Sequence, residues 1–510
     1  MNKRQMIKEV LADSLIPVRQ GGVNGQPFWN KFASVFMYVP SFDFKKIKDA
    51  AAYRFTVTDR FGVVRKFTAK TPDALLTPVW AKLPAGVVYV DVDALDAFGK
   101  KIGVSGHRCF YRNVPFTNSY PPKVRSYAES ARMAYDFMFQ SERIQCLRKG
   151  TADIHKDPLF RYPSKMFSAI IRSMINYAEM APEKKNDAME IACKCAKYMM
   201  RKSVPEEGKL EYLPWTYEGD VDAAGKYKGT IMMIYPAEVG SAMIALAKAT
   251  NKKEYLDYAK KIGDHYLRLQ LPNGSWHLVL NIADGSARNE NSCNPCVIYP
   301  FLEDLSNALK DKKYVKATEN GKIYFDDTIR TFNWEGQFED TCPAQEPYIN
   351  LSKHTATDIY LYLAGKYPND PKIIQGAREA QRFSEDQFVV WEQPGWAWHS
   401  FQAAPRIPTD EWGWQHWYTP CSLEQYGCFA PVNASLGKMI RYYLLMFTLE
   451  GKPIDLAKAR ALGDSITRFQ SSDGRIPTWC DPNLGDDWIN CTFASADYMK
   501  LLSEYDSVQI

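Results

Sequence analysis

Residues 162–202 read YPSKMFSAIIRSMINYAEMAPEKKNDAMEIACKCAKYMMRK, and this stretch decides the fold. Its first half opens on a proline and then carries apolar or small residues around most of its circumference, as a helix buried on all sides requires. A short polar turn, APEKKND, interrupts it. The second half, AMEIACKCAKYMMRK, keeps one apolar stripe and one charged face, the pattern of a half-exposed helix. The unit is a helical hairpin with one buried arm and one amphipathic arm.

The unit recurs. Buried-type helices open again at YPAEVGSAMIALAKA, NPCVIYPFLEDLSNAL, SKHTATDIYLYLAGKY, APVNASLGKMIRYYLLMF and NCTFASADYMKLLSEY. The first four of these run into the polar turns TNKKEY, KDKKYV, YPNDPKI and EGKPID, each followed by an amphipathic helix such as YLDYAKKIGDHYLRLQ. A leading helix, KVRSYAESARMAYDFMFQ, completes six buried and six amphipathic segments. Such self-similarity marks a repeat architecture. A superhelical solenoid shows the same local pattern. It lacks the match between a leading outer helix and a terminal inner helix, which closes a ring. The expected fold is mainly α: an (α/α)6 barrel spanning residues 119–510.

Ahead of it the period is two. VFMYVPSF, AYRFTVTD, VRKFTA and GVVYVDVDAL are alternating or β-branched runs punctuated by Gly, Pro and Asp. Residues 25–118 are therefore expected to form a small all-β sandwich of five to seven strands, preceded by a lead segment, 1–24.

Of the 510 residues 46% are hydrophobic and 24% charged, an ordinary globular balance. The net charge of +5 without a dense Lys/Arg run argues against a nucleic-acid partner. Eleven cysteines, odd in number and irregularly spaced, argue against a disulfide framework and for a reducing compartment. The opening MNKRQMIKEVLADSLIP lacks the apolar stretch of a signal peptide, and no window approaches a spanning run of about 20 apolar residues. The expectation is a soluble protein without membrane insertion, cytoplasmic as written, or periplasmic or secreted if a leader has been removed. Oligomeric state is not readable.

The links between helices are unequal. Inner-to-outer turns take a few residues, whereas outer-to-inner links run over about 141–162, 204–234, 272–293, 333–350, 391–429 and 471–489. In an antiparallel ring every long link emerges at one rim, and long loops in compact domains are usually functional. Of 13 tryptophans, all but Trp29 and Trp80 fall in these links. Flat aromatic faces stack on the C–H faces of sugars, although a single rim Trp is as often loop packing. The candidate substrate-binding residues are Trp215, Tyr217, Trp276, Trp398, His399, Trp412, Trp414, Trp479 and Trp488.

Carboxylates are the second requirement. Glycoside hydrolysis needs one carboxylic acid to protonate the leaving oxygen and one carboxylate to activate water or attack the sugar. The links CPAQEPYINLSKH and PCSLEQYGCFAPVN each place a Glu, Glu346 or Glu424, eight or nine residues before an inner-helix polar residue, His354 or Asn433. Glu238 opens the inner helix PAEVGSAM where Lys165 stands in PSKMFSAI, as a helix-end charge or as a group facing the ring axis. The candidate catalytic set is Glu346, Glu424, Asp410, Glu238 and His354.

The hairpin repeat, the Trp-rich rim and the preceding β-region (GQPFWN, then VWAKLPAGVVYVDVDALD) resemble the six-hairpin glycosidase superfamily. That resemblance implies a glycoside hydrolase acting on an oligo- or polysaccharide, uronate-containing chains among them, with a carbohydrate as sole partner and no cofactor. No catalytic motif of one family matches residue by residue. Rival readings are a polysaccharide lyase using Tyr217, His354 or His399 with Arg406, a sugar epimerase, and a glycan-binding protein without turnover. A zinc-dependent hydrolase using Cys293, Cys296, Cys342 or Cys421 with Glu339 is a further rival, but Cys293 and Cys296 lack a second close pair, so no metal is expected.

Overall fold

The computed structural model describes residues 3–19, 33–155, 157–331, 341–342, 353–393, 418–424, 431–480 and 487–510. The N-terminal part begins with helix α1 (Lys3–Asp13), whose Met6 and Val10 are buried. Five strands follow: β1 (Val35–Phe36), β2 (Ala52–Thr58), β3 (Val64–Ala69), then, after the short helix α2 (Thr77–Trp80), β4 (Gly86–Leu95) and β5 (Lys101–Arg112). They form one sheet in the order β1-β5-β4-β2-β3, antiparallel throughout except for the parallel pairing of β1 with β5.

This differs from the expected two-sheet sandwich. Alternation in β2 and β4 turns Tyr53, Phe55, Val57, Val88, Val90 and Val92 inward, as read from sequence. The layer covering them is not a second sheet. It is α2 and the irregular chain around it, which contribute Phe36, Val39, Phe42, Leu76, Val79 and Trp80. Apolar runs such as VFMYVPSF supply side chains to that core while adding only the two residues of β1 to the ladder. Register shifts at Val92/Asp93 and Ala94/Leu95 help curl the sheet around this filling.

The remainder is helical. α3 (Tyr127–Gln140) and the short α4 (Glu142–Lys149) precede the hairpin α5 (Pro163–Met180) and α6 (Lys185–Arg201). After a one-turn helix, α7 (Asp222–Lys226), come α8 (Ile234–Thr250) with α9 (Lys253–Leu269), and α10 (Ile298–Leu309) with α11 (Lys313–Thr331). The last hairpins are α12 (Lys353–Lys366) with α13 (Pro371–Phe388), and α14 (Asn433–Glu450) with α15 (Pro453–Phe469); α16 (Ile489–Ser503) ends the series. Left-handed residues end three inner helices, Asn251, Lys310 and Gly451, so the chain reverses at once into the outer partner.

Packing closes the ring. α5 packs on α8, α8 on α10, α12 on α14, α14 on α16, and α16 back on α5. Between α10 and α12 the Tyr299 and Tyr362 rings lie 5.6 Å apart, and Glu303 accepts hydrogen bonds from the Tyr362 hydroxyl (2.7 Å) and Lys366 (2.5 Å). The leading α3 packs against the terminal α16, as the sequence repeat anticipated. Among the described residues no helix is long and apolar enough to cross a membrane.

Two features of this packing are sensitive to single atoms. On α8 a Cβ added to Gly240 would lie 2.3 Å from the Phe301 ring of α10, so this glycine sets the inner-helix approach. Exposed Gly365 on α12 has nothing within 4 Å of such a Cβ. The second feature joins the sheet to the ring. Asp386 at the end of α13 accepts the backbone N–H groups of Met37 and Tyr38 (the latter at 2.8 Å), and Gln387 donates to the Val35 carbonyl at 2.8 Å. Glu385 receives Lys458 at 2.7 Å, the Tyr38 hydroxyl at 3.1 Å and the Trp391 indole at 3.1 Å. Further along α13, Arg19 meets Glu379 at 3.0 Å and Arg382 meets Asp13 at 2.5 Å.

Gly240→Ala should lower stability by about 1 kcal/mol, because overpacking of ~1–3 kcal/mol exceeds the gain in helix propensity of about 1 kcal/mol. Gly365→Ala should raise it by about 0.5–1 kcal/mol, and denaturant melts of both variants check the pair.

Burial pushes the Asp386 carboxyl up to about 7 from its ordinary 3.8, against the pull of its three donors. The folded state holds that proton more tightly, so the group's contribution is full below about 4 and is lost as pH rises through about 7. Asp386→Asn should therefore gain on the wild type across that window, by up to about 4 kcal/mol, in paired melts at stepped pH. A difference constant with pH would contradict this assignment.

Candidate functional site

Each inner helix runs antiparallel to its outer partner through a short turn, so the long links gather at the N-terminal ends of the inner helices. Small ladders lace neighbouring links together. Thr230–Met232 pairs with Val279–Asn281 and Ser292–Cys293 with Thr341–Cys342, while the pairing of Val389–Val390 with Cys421–Ser422 ties the α13–α14 link to itself. Val432 bridges Trp479, and the Asn433 amide donates to the Thr478 carbonyl at 2.9 Å. The links therefore form a laced rim.

The described rim holds one mixed aromatic and charged cluster. Lys165, in the first turn of α5, places its ammonium 5.7 Å from the Tyr235 ring and 5.8 Å from the Trp488 ring. These partners come from the starts of the neighbouring inner helices α8 and α16. One turn beyond Lys165, the Ser168 hydroxyl lies 3.4 Å from a carboxylate oxygen of Glu238 on α8. Trp488 is 36% exposed, an open aromatic face beside an ammonium. Its own amide is fixed by the Thr478 hydroxyl at 2.7 Å, and Asp487 holds the Thr478 amide at 2.8 Å and pairs with Arg475 at 2.5 Å.

A tyrosine wall adjoins the first link. Tyr162 meets Tyr217 edge-on at 6.0 Å, Tyr217 stacks on Tyr227 at 5.2 Å, and Arg288 covers Tyr227 at 5.0 Å. Burial, then the nearby Asp222 carboxylate, raises the Tyr162 phenol above its usual value. Tyr217 is 7% exposed, its hydroxyl 3.6 Å from the Met232 sulfur. Among the described residues no group of three His, Cys, Asp or Glu converges as a metal site would require.

The sequence-derived candidates separate into three groups. Glu238, Tyr217, Trp479 and Trp488 lie on the described rim. Glu424 is half-buried just beyond the Cys421–Ser422 strand, and His354 lies in the first turn of α12, its side chain outside the described residues. Glu346, Asp410, Trp398, His399, Trp412 and Trp414 also lie outside the described residues.

The remaining two are Trp276 and Trp215. Trp276 is fully buried, donating its indole N–H to the Tyr266 carbonyl at 2.8 Å with its ring edge-on to Tyr266 and Tyr299. Trp215 lies half-buried under Lys202 at 5.6 Å, its carbonyl taking the Ser164 hydroxyl at 2.6 Å. Lys165 and Tyr235 were missed as site residues. The available signal for Lys165 was a cation opening an otherwise apolar inner helix.

The helical hairpins of the chain close into a toroid. No family model matches the sequence. No curated protein matches it either. Solved structures similar to it include a family 76 glycoside hydrolase from a bovine Bacteroides thetaiotaomicron strain, at 11% identity and a TM-score of 0.49, covering 95% of this chain and 99% of that one. The cellobiose 2-epimerase of Spirochaeta thermophila aligns at 12% identity and a TM-score of 0.47, over 67% of this chain and 86% of its own. A polysaccharide lyase aligns at 12% identity and a TM-score of 0.45, over 92% and 65%.

The two kinds of rim tryptophan predict opposite phenotypes. Trp276→Ala should cost about 3–5 kcal/mol of stability by emptying a buried site. Trp488→Ala should change the melting midpoint little while weakening glycan binding, measured by calorimetric titration on the same preparations.

Proposed function

We propose that the protein is a glycoside hydrolase whose catalytic cleft is this rim. The observation that carries the reading is the Lys165–Tyr235–Glu238–Trp488 cluster, drawn from three adjacent inner-helix starts. An exposed indole face supplies a platform for a pyranose ring, and the half-buried Glu238 carboxylate meets Ser168 one turn beyond Lys165. In this reading Glu238 is one member of a carboxylate pair, and the second comes from Glu424, Glu346 or Asp410. One member protonates the glycosidic oxygen; the other activates water or attacks the anomeric carbon. Their pKa values must be pushed apart, and a desolvated aromatic site does so by penalising one ionised carboxylate. In this reading Trp479 contributes to the same cleft, and His354, Trp398, His399, Trp412 and Trp414 are its further candidates from sequence. Lys165 extends the substrate class to chains carrying uronates, since an ammonium beside an aromatic platform pairs with a sugar carboxylate.

A lyase acting on the same uronates is the second reading, and Lys165 is what favours it, because β-elimination needs the acid neutralised. Tyr217 is a poor base for it, being buried with its hydroxyl on a thioether. The test is a product assay on plant and host polysaccharides, following reducing-sugar release and the absorbance of unsaturated uronates. Reducing ends without absorbance are expected. Glu238→Gln, Glu424→Gln and Glu346→Gln should show which carboxylates act, the true pair losing about 10²–10⁴-fold in turnover with binding retained. Absorbance would transfer the protein to the lyases, and binding without turnover in the wild type would make the cleft a receptor.

A further inference from the structure

Where the chain leaves the sheet and enters the ring, a cavity of about 450 Å³ opens between the segment after β5, the end of α13 and the end of α15. We propose that it is a second carbohydrate-binding site, taking a neutral pyranose unit. Ligand pockets fall in the range of about 300–1,000 Å³, with apolar and aromatic walls and a few polar groups. Two stacked aromatic pairs contribute to this one: Tyr120 with Trp391, centroids 5.8 Å apart, and Tyr418 with Phe469, 4.0 Å apart. Tyr120, Tyr418 and Phe469 remain half-exposed.

The polar groups are Glu392 and Arg468, both exposed. Arg468 has no hydrogen-bond or ion-pair partner among the described residues. Glu392 receives only a long contact, 3.4 Å, from the Thr117 hydroxyl. A guanidinium fork that donates and a carboxylate that accepts are matched to the alternating donors and acceptors of vicinal hydroxyls. The two charges offset each other, so the pocket favours a neutral sugar. That separates it from the Lys165 rim, which offers an ammonium to an anionic one.

Its position fits a role alongside the rim. The Tyr418 amide donates to the Cys480 carbonyl at 3.2 Å, and Cys480 follows Trp479. The site is thus one backbone contact from the link that carries Trp479. The inference rests on the glycan reading of the rim for its ligand class, but not on turnover there.

The experiment is affinity electrophoresis of the full chain in gels cast with a neutral mannan, xylan, galactan or mixed-linkage glucan. Four proteins are compared: wild type, Arg468→Ala, Glu392→Ala and the rim variant Lys165→Ala/Trp488→Ala. Retardation by at least one neutral polymer is expected. Each pocket variant should weaken the apparent affinity about tenfold, and the rim variant should leave that component in place. Both pocket residues lie on the surface, so loss of fold is not a competing explanation, and a thermal melt verifies it. Retardation that is indifferent to Arg468 and Glu392 but lost in the rim variant would overturn the second site and leave the rim reading standing. Retardation that depends on Arg468, in a protein that turns over nothing, would keep the second site and sink the hydrolase. No retardation by any of the four polymers would overturn the second site.

Discussion

The end of α13 carries two consecutive buried carboxylates, Glu385 and Asp386, each about 1% exposed, and much of the molecule is arranged to satisfy them. A buried ionisable group is tolerated only when charge or hydrogen-bond donors surround it. Here those donors come from across the chain: backbone N–H groups of Met37 and Tyr38, a lysine of α15, and the indole of Trp391. Asp455, fully buried on α15, is held by Arg378 of α13 at 2.8 Å. The outer faces of α13 and α15 are therefore the floor on which the N-terminal part sits. Breaking the Lys458–Glu385 or the Arg378–Asp455 pair would leave an unpaired charge in a dry interface, which costs far more than losing a surface ion pair.

This contact also explains what the sequence concealed. PKIIQGAREAQRFSEDQF has one apolar stripe and a face of Arg, Gln, Glu and Asp, which reads as a solvated outer helix. In the structure every residue from Glu379 to Phe388 is buried, because α1, Asp13, Arg19 and the chain around β1 lie over the polar face. Periodicity reports which side of a helix is apolar; it is silent on whether charges on the other side meet water or one another. The hairpins themselves were legible, since five short polar turns between helices of unlike face type leave little choice of partner. The ring closure was legible too, from the unmatched first and last helices. The second β-layer was not, because irregular chain and strand contribute the same Phe, Val and Trp to a core.

The rim was legible as a place and less so as a set of residues. Link lengths located it, and Glu238, Glu424 and Trp488 were chosen on it. Tryptophan content did not separate a platform from a bolt. Trp276 and Trp391 are buried with their indole N–H groups satisfied, one by a backbone carbonyl and one by Glu385, and both anchor long links to the helices beneath. Trp488 has no such hydrogen bond described, and more than a third of its surface is open. A satisfied indole pins a loop, whereas an exposed ring leaves its face for a ligand. Sequence shows neither state.

The two kinds of tryptophan depend on each other. A rim built from long links loses chain entropy when it orders, and every residue fixed costs on the order of 1–2 kcal/mol. The buried indoles, the two- and three-residue ladders and the Asp487–Thr478–Trp488 clamp supply the compensating contacts. Only after that cost is met can Lys165, Glu238 and Trp488 stand in fixed relation at three separate helix starts. Preorganisation of this kind is what lets a carboxylate act at a transition state instead of merely binding in the ground state. The packing tryptophans thus help hold the open face of the rim in place. Substitutions among them would loosen the rim, even where every group on its open face is retained.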